Sequence, residues 1–497
     1  MKKILIYLII ITVGLFSCDL QTVDQANLAP AVALDNAPGV QSVLFSGYRR
    51  LHLFNFFGQD ATLVGDALAD NIEIVNRTGR YEQEWVNAIG TFANRYQVAY
   101  QVINDANFVI KFAPRLDTAL TRIVPRTAPT TATPNPFWAD DILNQVRGEA
   151  YFIRALSYMD LLRIYSYEPG KEQGGFNLGV ILRDTPTEAV SDVSNRSRNT
   201  NLECYQFVEN DLLQAIALMR PRSEFATRAW PTGMGTFATE FRAHRGSAHA
   251  LLARLYLYWG RYADADTQAT LALSLIASPT LVTAANYAAS WSTTTHPESI
   301  FELEIRPTDW SGTDGPNNSL NSITQNALGG AQYVMAASQE LINAHEPGDV
   351  RRNVYVSSAA TLNKPQVRKW QGEKGNFVEN VPVIRRSEMY LIQAESRARL
   401  NNNAGAQTAI NVIRTNRGLA ETTAVGPALV NLIMNERRVE LAFEGHRYFD
   451  LKRLGLDIPK PAASNVSTLP FSDYRILQQI PPDQVVLNSN LRQNPNY

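Results

Sequence analysis

The segment Asn435–Gly455 carries the densest set of ionisable side chains whose spacing could support acid–base chemistry. Read as a helix, it places Arg437 and Glu444 on one stripe and Glu436 and Glu440 on the neighbouring stripe. This pattern fits either a catalytic acid–base cluster or a charged buttress that joins two helices through ion pairs. Because the sequence supplies no nucleophile or metal-ligand set nearby, we interpret the segment as a buttress.

Other catalytic patterns are absent from the sequence. It contains no H-E-x-x-H zinc motif, P-loop, nucleophile elbow or dinucleotide fingerprint. His244 and His249 are five positions apart, which takes them off one helical face, and no carboxylate follows at a ligand-like offset. A glycosidase pair cannot be selected from 47 Asp and Glu residues without geometry. We therefore predict no catalytic residue, no metal ligand, no cofactor and no enzyme activity.

The composition is that of an ordinary globular protein. The chain has 497 residues, of which 45% are hydrophobic and 19% are charged. Its formal net charge of −1 implies no basic face, so nucleic acid is excluded as an expected partner. With two cysteines, Cys18 and Cys204, the chain has no disulfide framework.

The N-terminus has the layout of a lipoprotein signal. Two lysines follow the initial Met, and the apolar run Ile4–Phe16 is too short for a comfortable membrane span. Leu15–Cys18 is similar to a lipobox, whose cysteine becomes the acylated first residue. We expect a signal peptide over 1–17, lipidation at Cys18 and a polar tether over 18–40. The alternative is an ordinary signal peptide cleaved near Ser17.

Helical periodicity dominates the rest of the chain. Residues 245–278 have apolar and small side chains at tetratricopeptide spacing, with Gly260 ending the first of two helices. Met389–Arg417 is a weaker second copy, and 146–219 and 429–455 are degenerate copies. Because an isolated unit cannot bury its own apolar face, at least three should stack.

The other predicted elements complete a mainly α-helical fold. Single helices are predicted at Val40–Leu51, Ala61–Asn71 and Gln83–Phe108. Short strands are predicted at Ser299–Ile305, Val367–Trp370 and Val381–Ile384. Gly445 fits a helix end.

The segment Glu436–Arg453 reads E-R-R-V-E-L-A-F-E-G-H-R-Y-F-D-L-K-R and resembles the C-terminal signature of the SusD/RagB family. Val146–Tyr165 and the ending Ile480–Tyr497 also resemble blocks of that family. The resemblance implies a SusD-like domain over 41–497, in which the N-terminal and C-terminal regions of the family intertwine. It also implies tetratricopeptide-like helical pairs as a scaffold, with a loop-rich ligand-binding side and a few short strands.

The resemblance also implies a function. The family consists of surface lipoproteins of Bacteroidetes that capture nutrients, often glycans, for a TonB-dependent channel. We therefore expect a lipid-anchored outer-membrane protein, facing the exterior, that binds an oligosaccharide and delivers it to a SusC-like TonB-dependent transporter. The alternatives are a structural or adhesin lipoprotein, or a binder of peptides.

Sugar recognition needs flat aromatic faces together with planar polar groups, and two loops offer both. The first contributes Asp70, Asn71, Arg80 and Tyr81 as candidate ligand contacts. The alternative is that Asp70 caps or turns the chain. Trp85 lies among apolar helical neighbours, which indicates a position in the core.

The second loop contributes Trp310, with Asp309, Asp314, Asn317 and Tyr333 nearby. A Trp among Gly, Ser and Asp residues has little core to join. We therefore expect Trp310 to be the strongest single ligand contact, whose loss weakens binding with little effect on stability.

Overall fold

The structure, a computed structural model, describes residues 33–88, 92–116, 139–225, 240–276, 278, 280–310 and 312–497. The predicted signal peptide, Cys18 and residues 18–32 of the predicted tether lie outside the described residues. The first helix begins at Ala37, inside the predicted tether.

The described part of the chain is mainly helical, as predicted, with short irregular connections between the helices. Its α-helices, in chain order, are α1 Ala37–Leu51, α2 Asp60–Ala67, α3 Glu82–Trp85, α4 Ala93–Phe112, α5 Ala139–Tyr165, α6 Asn201–Leu218, α7 Arg222–Phe225, α8 Arg245–Trp259, α9 Tyr262–Ser274, α10 Tyr287–Ser290, α11 Asp314–Asn318, α12 Leu320–Thr324, α13 Gln339–Asn343, α14 Arg386–Arg399, α15 Asn403–Asn416, α16 Gly426–Glu440, α17 Arg447–Arg453 and α18 Pro482–Leu487. Single 3-10 turns lie at Ala113–Leu116, Val190–Asp192, Ala284–Asn286, Val350–Val354, Ala359–Thr361, Ala462–Ser464 and Tyr474–Ile476.

The strands form two-stranded antiparallel ladders. They are β1 Ile72–Ile74, β2 Ser299–Leu303, β3 Met335–Ala337, β4 Tyr355–Val356, β5 Gln366–Val367 and β6 Val381–Arg385. β1 pairs with β3, β2 with β6, and β4 with β5. In the longest ladder Ser299 lies opposite Arg385, and the register shifts before Glu302. The ladders join segments far apart in the sequence, so they tie loops to the helical body.

The predicted helical pairs are confirmed. α8 and α9 form an antiparallel pair over 245–278, and α14 and α15 form the second copy. Ala265, Ala269 and Ala272 of α9 are fully buried, and such small side chains let the paired helices pack closely. An ion pair of 2.6 Å between Arg254 and Glu388 connects α8 to α14, so neighbouring pairs are joined by charge as well as by apolar contact.

Several sequence expectations need correction. The helix predicted over Ala61–Asn71 ends at Ala67. The helix predicted over Gln83–Phe108 is two helices, α3 and α4, because Asn87 adopts a left-handed φ of 58° that ends the first. The helix of the charged segment ends at Glu440, before the predicted end at Gly445. The strand predicted at Val367–Trp370 continues no further than Val367.

Candidate functional site

The charged segment that could have supported catalysis is a buried ion network. Glu440 is fully buried and accepts hydrogen bonds from the guanidinium groups of Arg417, at 2.9 Å, and of Arg385, at 3.2 Å. Burial opposes ionisation of Glu440, but these groups and Arg351 outweigh it and hold its pKa well below its usual range. The network is therefore a structural buttress, as interpreted from the sequence.

The first predicted ligand loop is tied to this buttress. Asp70 is buried and accepts a hydrogen bond of 2.8 Å from Arg447, and it forms an ion pair of 3.0 Å with Arg438. Asn71 is fully buried between Asp66, to which it donates at 2.6 Å, and Arg438, from which it accepts at 2.9 Å. The burial of both side chains favours the structural alternative for this loop, and a ligand contact here stays a prediction.

Arg80 and Tyr81 have different surroundings. Arg80 is half-buried and donates a hydrogen bond to the carbonyl of Asn317, so the two predicted loops do meet. Tyr81 is buried, and its hydroxyl donates at 2.8 Å to Asp60 and accepts at 3.0 Å from Gln59. Its polar atom is therefore already occupied inside the protein.

The expectation that Trp310 has little core to join is wrong. Its exposed fraction is 9%, and it belongs to the main hydrophobic core. Its indole nitrogen is buried and has no hydrogen-bond partner among the described residues. Tyr333 is buried as well, whereas Trp85 lies in the core as expected. Trp310 therefore has a packing role, and a ligand contact in this loop stays a prediction.

Asp309, the neighbour of Trp310, does line an open cleft. This cleft, which we term the His52 cleft, has a volume of about 350 Å³. It lies between the second half of α1 and the segment that follows β2. Its lining residues are Phe45, Tyr48, Arg49, His52, Phe241, Arg242, Leu303, Glu304, Arg306 and Asp309.

The α1 wall follows from the amphipathic sequence of that helix. Asn36 caps the helix by accepting a hydrogen bond of 2.8 Å from the amide of Gly39. Leu44 and Leu51 are buried in the core, which leaves Phe45 exposed by 41% at the cleft. The guanidinium of Arg242 lies 5.2 Å from the Phe45 ring centre. The wall thus presents an aromatic face beside a cation.

The opposite wall is a tight turn with planar charged groups. Asp309 Oδ2 accepts a hydrogen bond of 2.8 Å from the backbone amide of Arg306, which closes the turn. The Arg306 side chain donates to Glu304 at 2.9 Å and 3.0 Å while 66% of it stays exposed. Burial alone would raise the pKa of Glu304, but Arg306 and Lys374 outweigh it and the pKa is lowered. Glu304 is therefore an ionised acceptor at neutral pH.

His52 is held as a neutral acceptor in the same cleft. Its Nδ1 lies 2.9 Å from the carbonyl oxygen of Glu304, which can only accept, so Nδ1 carries the proton. Burial lowers the pKa of His52, with a partial opposing effect from the Asp309 carboxylate. Its Nε2 has no hydrogen-bond partner among the described residues and can accept from a ligand hydroxyl.

The cleft residues on and just after α1 were not identified from the sequence, because they belong to a helical face rather than to a loop. Phe45, Arg49 and His52 recur at spacings of four and three, which places them on one helical face. That spacing was a usable signal. Nothing local linked this face to Glu304, which is 252 residues from His52.

The described ranges contain neither a metal-binding cluster nor a membrane-spanning helix. There, no group of three or more His, Cys, Asp or Glu side chains could hold a metal ion. No helix in those ranges combines the length and the apolar character required to cross a bilayer. Cys204 is buried, and burial raises the pKa of its thiol to about 12, which makes it an unreactive packing residue.

Two family models and a known relative match this chain in sequence. A family model described as the SusD family matches residues 361–497, and one described as "Starch-binding associating with outer membrane" matches residues 59–257. SusD-like protein P2 of Formosa agariphila is 24% identical, with 100% of both chains covered.

Solved structures agree with the family models. A SusD superfamily protein from Bacteroides thetaiotaomicron has a TM-score of 0.74 at 23% identity, with 93% of this chain and 100% of that chain covered. A SusD-like carbohydrate binding protein from Bacteroides vulgatus has a TM-score of 0.72 at 19% identity, with 91% of this chain and 96% of that chain covered. The two family models and the shared fold show that the chain belongs to the SusD/RagB family.

Proposed function

We propose that this protein binds an oligosaccharide in the His52 cleft and serves nutrient uptake at the outer membrane. The observation that carries the proposal is the convergence of aromatic rings and planar polar groups in one cleft. Phe45 and Phe241 offer apolar faces for a sugar ring. His52 Nε2 and the carboxylates of Glu304 and Asp309 accept from hydroxyls, and Arg306 donates to them.

The chemistry of the cleft favours binding over catalysis. Glu304 is paired with Arg306 at 2.9 Å and its pKa is lowered, so it cannot serve as a protonated general acid at neutral pH. The cleft is also open, which suits reversible capture of a chain of sugar units.

A glycan array with peptides as controls tests the ligand class. We expect at least one oligosaccharide to bind and the peptides to remain at background. Binding of peptides alone would replace the sugar assignment with the peptide alternative. If no ligand of either class bound, a structural or adhesin role would be favoured.

The lipid anchor is part of the same proposal. A basic start, an apolar run and Cys18 in sequence support acylation of Cys18 and an outer-membrane location facing the exterior. Metabolic labelling with a palmitate analogue should mark the wild type and spare Cys18→Ala. Equal labelling of both chains would contradict acylation at this residue.

The proposed partner is a SusC-like TonB-dependent transporter. A tethered binding protein cannot itself carry a ligand across a membrane, and family membership supports such a partner. The surface of stacked helical pairs, including α8–α9 and α14–α15, is the proposed docking face, since repeat surfaces commonly bind proteins. After mild detergent extraction, the transporter should co-purify; recovery of the protein alone would favour the adhesin alternative.

A further inference from the structure

A second cleft lies on another side of α1. It has a volume of about 480 Å³, larger than that of the His52 cleft. Arg50 lines it, whereas the adjacent Arg49 lines the His52 cleft. Its walls are α4, the segment 181–195 and the C-terminal segment 484–491. We term it the Tyr100 cleft.

The α4 wall is a row of amide side chains. Gln97, Gln101 and Asn104 recur at spacings of four and three and line the cleft together. Asn104 Oδ1 accepts a hydrogen bond of 2.8 Å from the amide of Thr187, which leaves its NH₂ group as a donor. Gln97 is exposed and has no side-chain partner among the described residues. An amide offers a donor and an acceptor side by side, which matches neighbouring sugar hydroxyls.

Further amides face this row from the other walls. Asn195, Gln484 and Asn488 line the cleft opposite α4. Asn488 is fixed by donating to the Arg196 carbonyl at 2.9 Å, whereas Asn195 is exposed with no side-chain partner in the described part of the chain. The cleft therefore combines oriented and available amides.

Aromatic rings complete the lining. The rings of Tyr96 and Tyr100 lie 4.8 Å apart between centroids, and both residues line the cleft. The Tyr100 hydroxyl donates at 2.9 Å to the carbonyl of Ile181, which fixes the ring between α4 and the 181–195 segment. Val193 and Leu487 stand at the cleft with exposed fractions of 61% and 74%. These apolar groups can cover the hydrophobic faces of sugar rings.

Charged groups are fewer than amide groups at the cleft. Arg50 and Asp105 form an ion pair of 2.8 Å and neutralise each other. Arg183 donates to the carbonyl of Ser194 at 3.1 Å. No other Lys, Arg, Asp or Glu side chain lines the cleft in the described part of the chain. Amide and tyrosine groups thus dominate over charge.

We propose that the Tyr100 cleft is a second carbohydrate-binding site, which takes a neutral oligosaccharide independently of the His52 cleft. The proposal rests on the proposed function, since it assumes that the protein meets oligosaccharides. Two sites on separate sides of α1 would let one chain hold two oligosaccharides, or two parts of a long one.

Hydrogen–deuterium exchange with and without millimolar malto-, cello-, xylo- and laminarihexaose tests this site directly. The chain used carries Phe45→Ala and Arg306→Ala, which disable the His52 cleft. We expect at least one hexasaccharide to slow exchange in residues 181–195. Adding Gln97→Ala and Asn195→Ala should raise the hexasaccharide concentration needed for half-maximal protection by about tenfold, because two hydrogen-bonding groups are lost. Gln214→Ala, an exposed glutamine on α6 away from the cleft, is the matched control.

The outcomes separate the two proposals. Protection of 181–195 that is unchanged by Gln97→Ala and Asn195→Ala overturns the second site. The second site is also overturned if a hexasaccharide, added to the wild-type chain, protects only residues 45–52 and 303–309. That result leaves the proposed function intact. If no hexasaccharide protects either cleft, both proposals fail for these sugars, and protection of 181–195 by peptides alone would assign the cleft to a peptide.

Discussion

Gly65 in α2 and Gly445 in the turn before α17 meet backbone to backbone. A β-carbon on Gly65 would lie 2.8 Å from the carbonyl carbon of Gly445, closer than real β-carbons approach other atoms. Gly445 itself has a left-handed φ of 77°. The turn of the family signature therefore packs directly on an N-terminal helix. Contact requires both glycines, and conformation requires Gly445 as well.

This contact predicts that Gly445→Ala strongly destabilises the fold. The new β-carbon would lie 2.1 Å from the carbonyl oxygen of Ala61, and the left-handed backbone adds about 1–2 kcal/mol. Chemical denaturation should show a loss well above that backbone contribution. Gly260→Ala is the matched control, because φ is 76° there and a β-carbon meets nothing within 4 Å. Equal losses in the two variants would show that the contact is unimportant.

Gly260 also shows where sequence reasoning was right for an incomplete reason. Periodicity predicted the α8–α9 pair and the end of α8 at Gly260. The glycine is needed there for its left-handed φ rather than for contact between the helices. The small residues that bring the helices together are the alanines of α9. A local pattern identifies the element, whereas the contacts of each residue depend on how the elements pack.

The candidate site was predicted less well than the fold. Asp309, predicted near the ligand loop, does line the His52 cleft, whereas Trp310 was assigned to the surface because its sequence neighbours are small and polar. The core that buries Trp310 comes from distant segments and leaves no local trace. Likewise, the pairing of Asp70 with Arg447 joins residues 377 positions apart, which no local pattern could predict.

The buried network predicts a large effect for Glu440→Gln. The substitution removes the charge that faces Arg351, Arg385 and Arg417, and breaking a buried ion pair costs about 3–5 kcal/mol. Urea unfolding measures the change. Asp264→Asn breaks the ion pair with Arg261, in which the Asp264 side chain is 48% exposed, and should cost less than about 1 kcal/mol. A similar small loss for Glu440→Gln would refute a buttressing role.

The buried carboxyl group of Glu379 predicts that stability falls as pH rises. Burial raises its pKa to about 8 from 4.5, with a further contribution from the charge of Glu373. Between these values the folded chain keeps a proton that the unfolded chain releases, so stability falls as pH rises through this window, by up to about 1.4 kcal/mol per pH unit. Glu379→Gln should flatten this decline in urea titrations. An unchanged slope would contradict a protonated Glu379.

Trp310→Ala should lower the melting temperature, contrary to the expectation from sequence. Only 9% of Trp310 is exposed, so it belongs to the core, and removing a core Trp costs about 3–5 kcal/mol. Differential scanning calorimetry on the free protein measures this loss. If binding fell while the melting temperature stayed unchanged, Trp310 would be a direct ligand contact after all.

The most direct test of the account measures oligosaccharide affinity at the His52 cleft. The best ligand from the array is titrated by calorimetry into a chain carrying Gln97→Ala and Asn195→Ala, so that the Tyr100 cleft contributes little. Adding Phe45→Ala and Arg306→Ala should weaken binding by at least about tenfold, because an aromatic face and a guanidinium are lost. Arg352→Ala, an exposed arginine outside the cleft, should leave the affinity unchanged. Equal affinity with and without Phe45→Ala and Arg306→Ala would contradict the assignment of the ligand to this cleft.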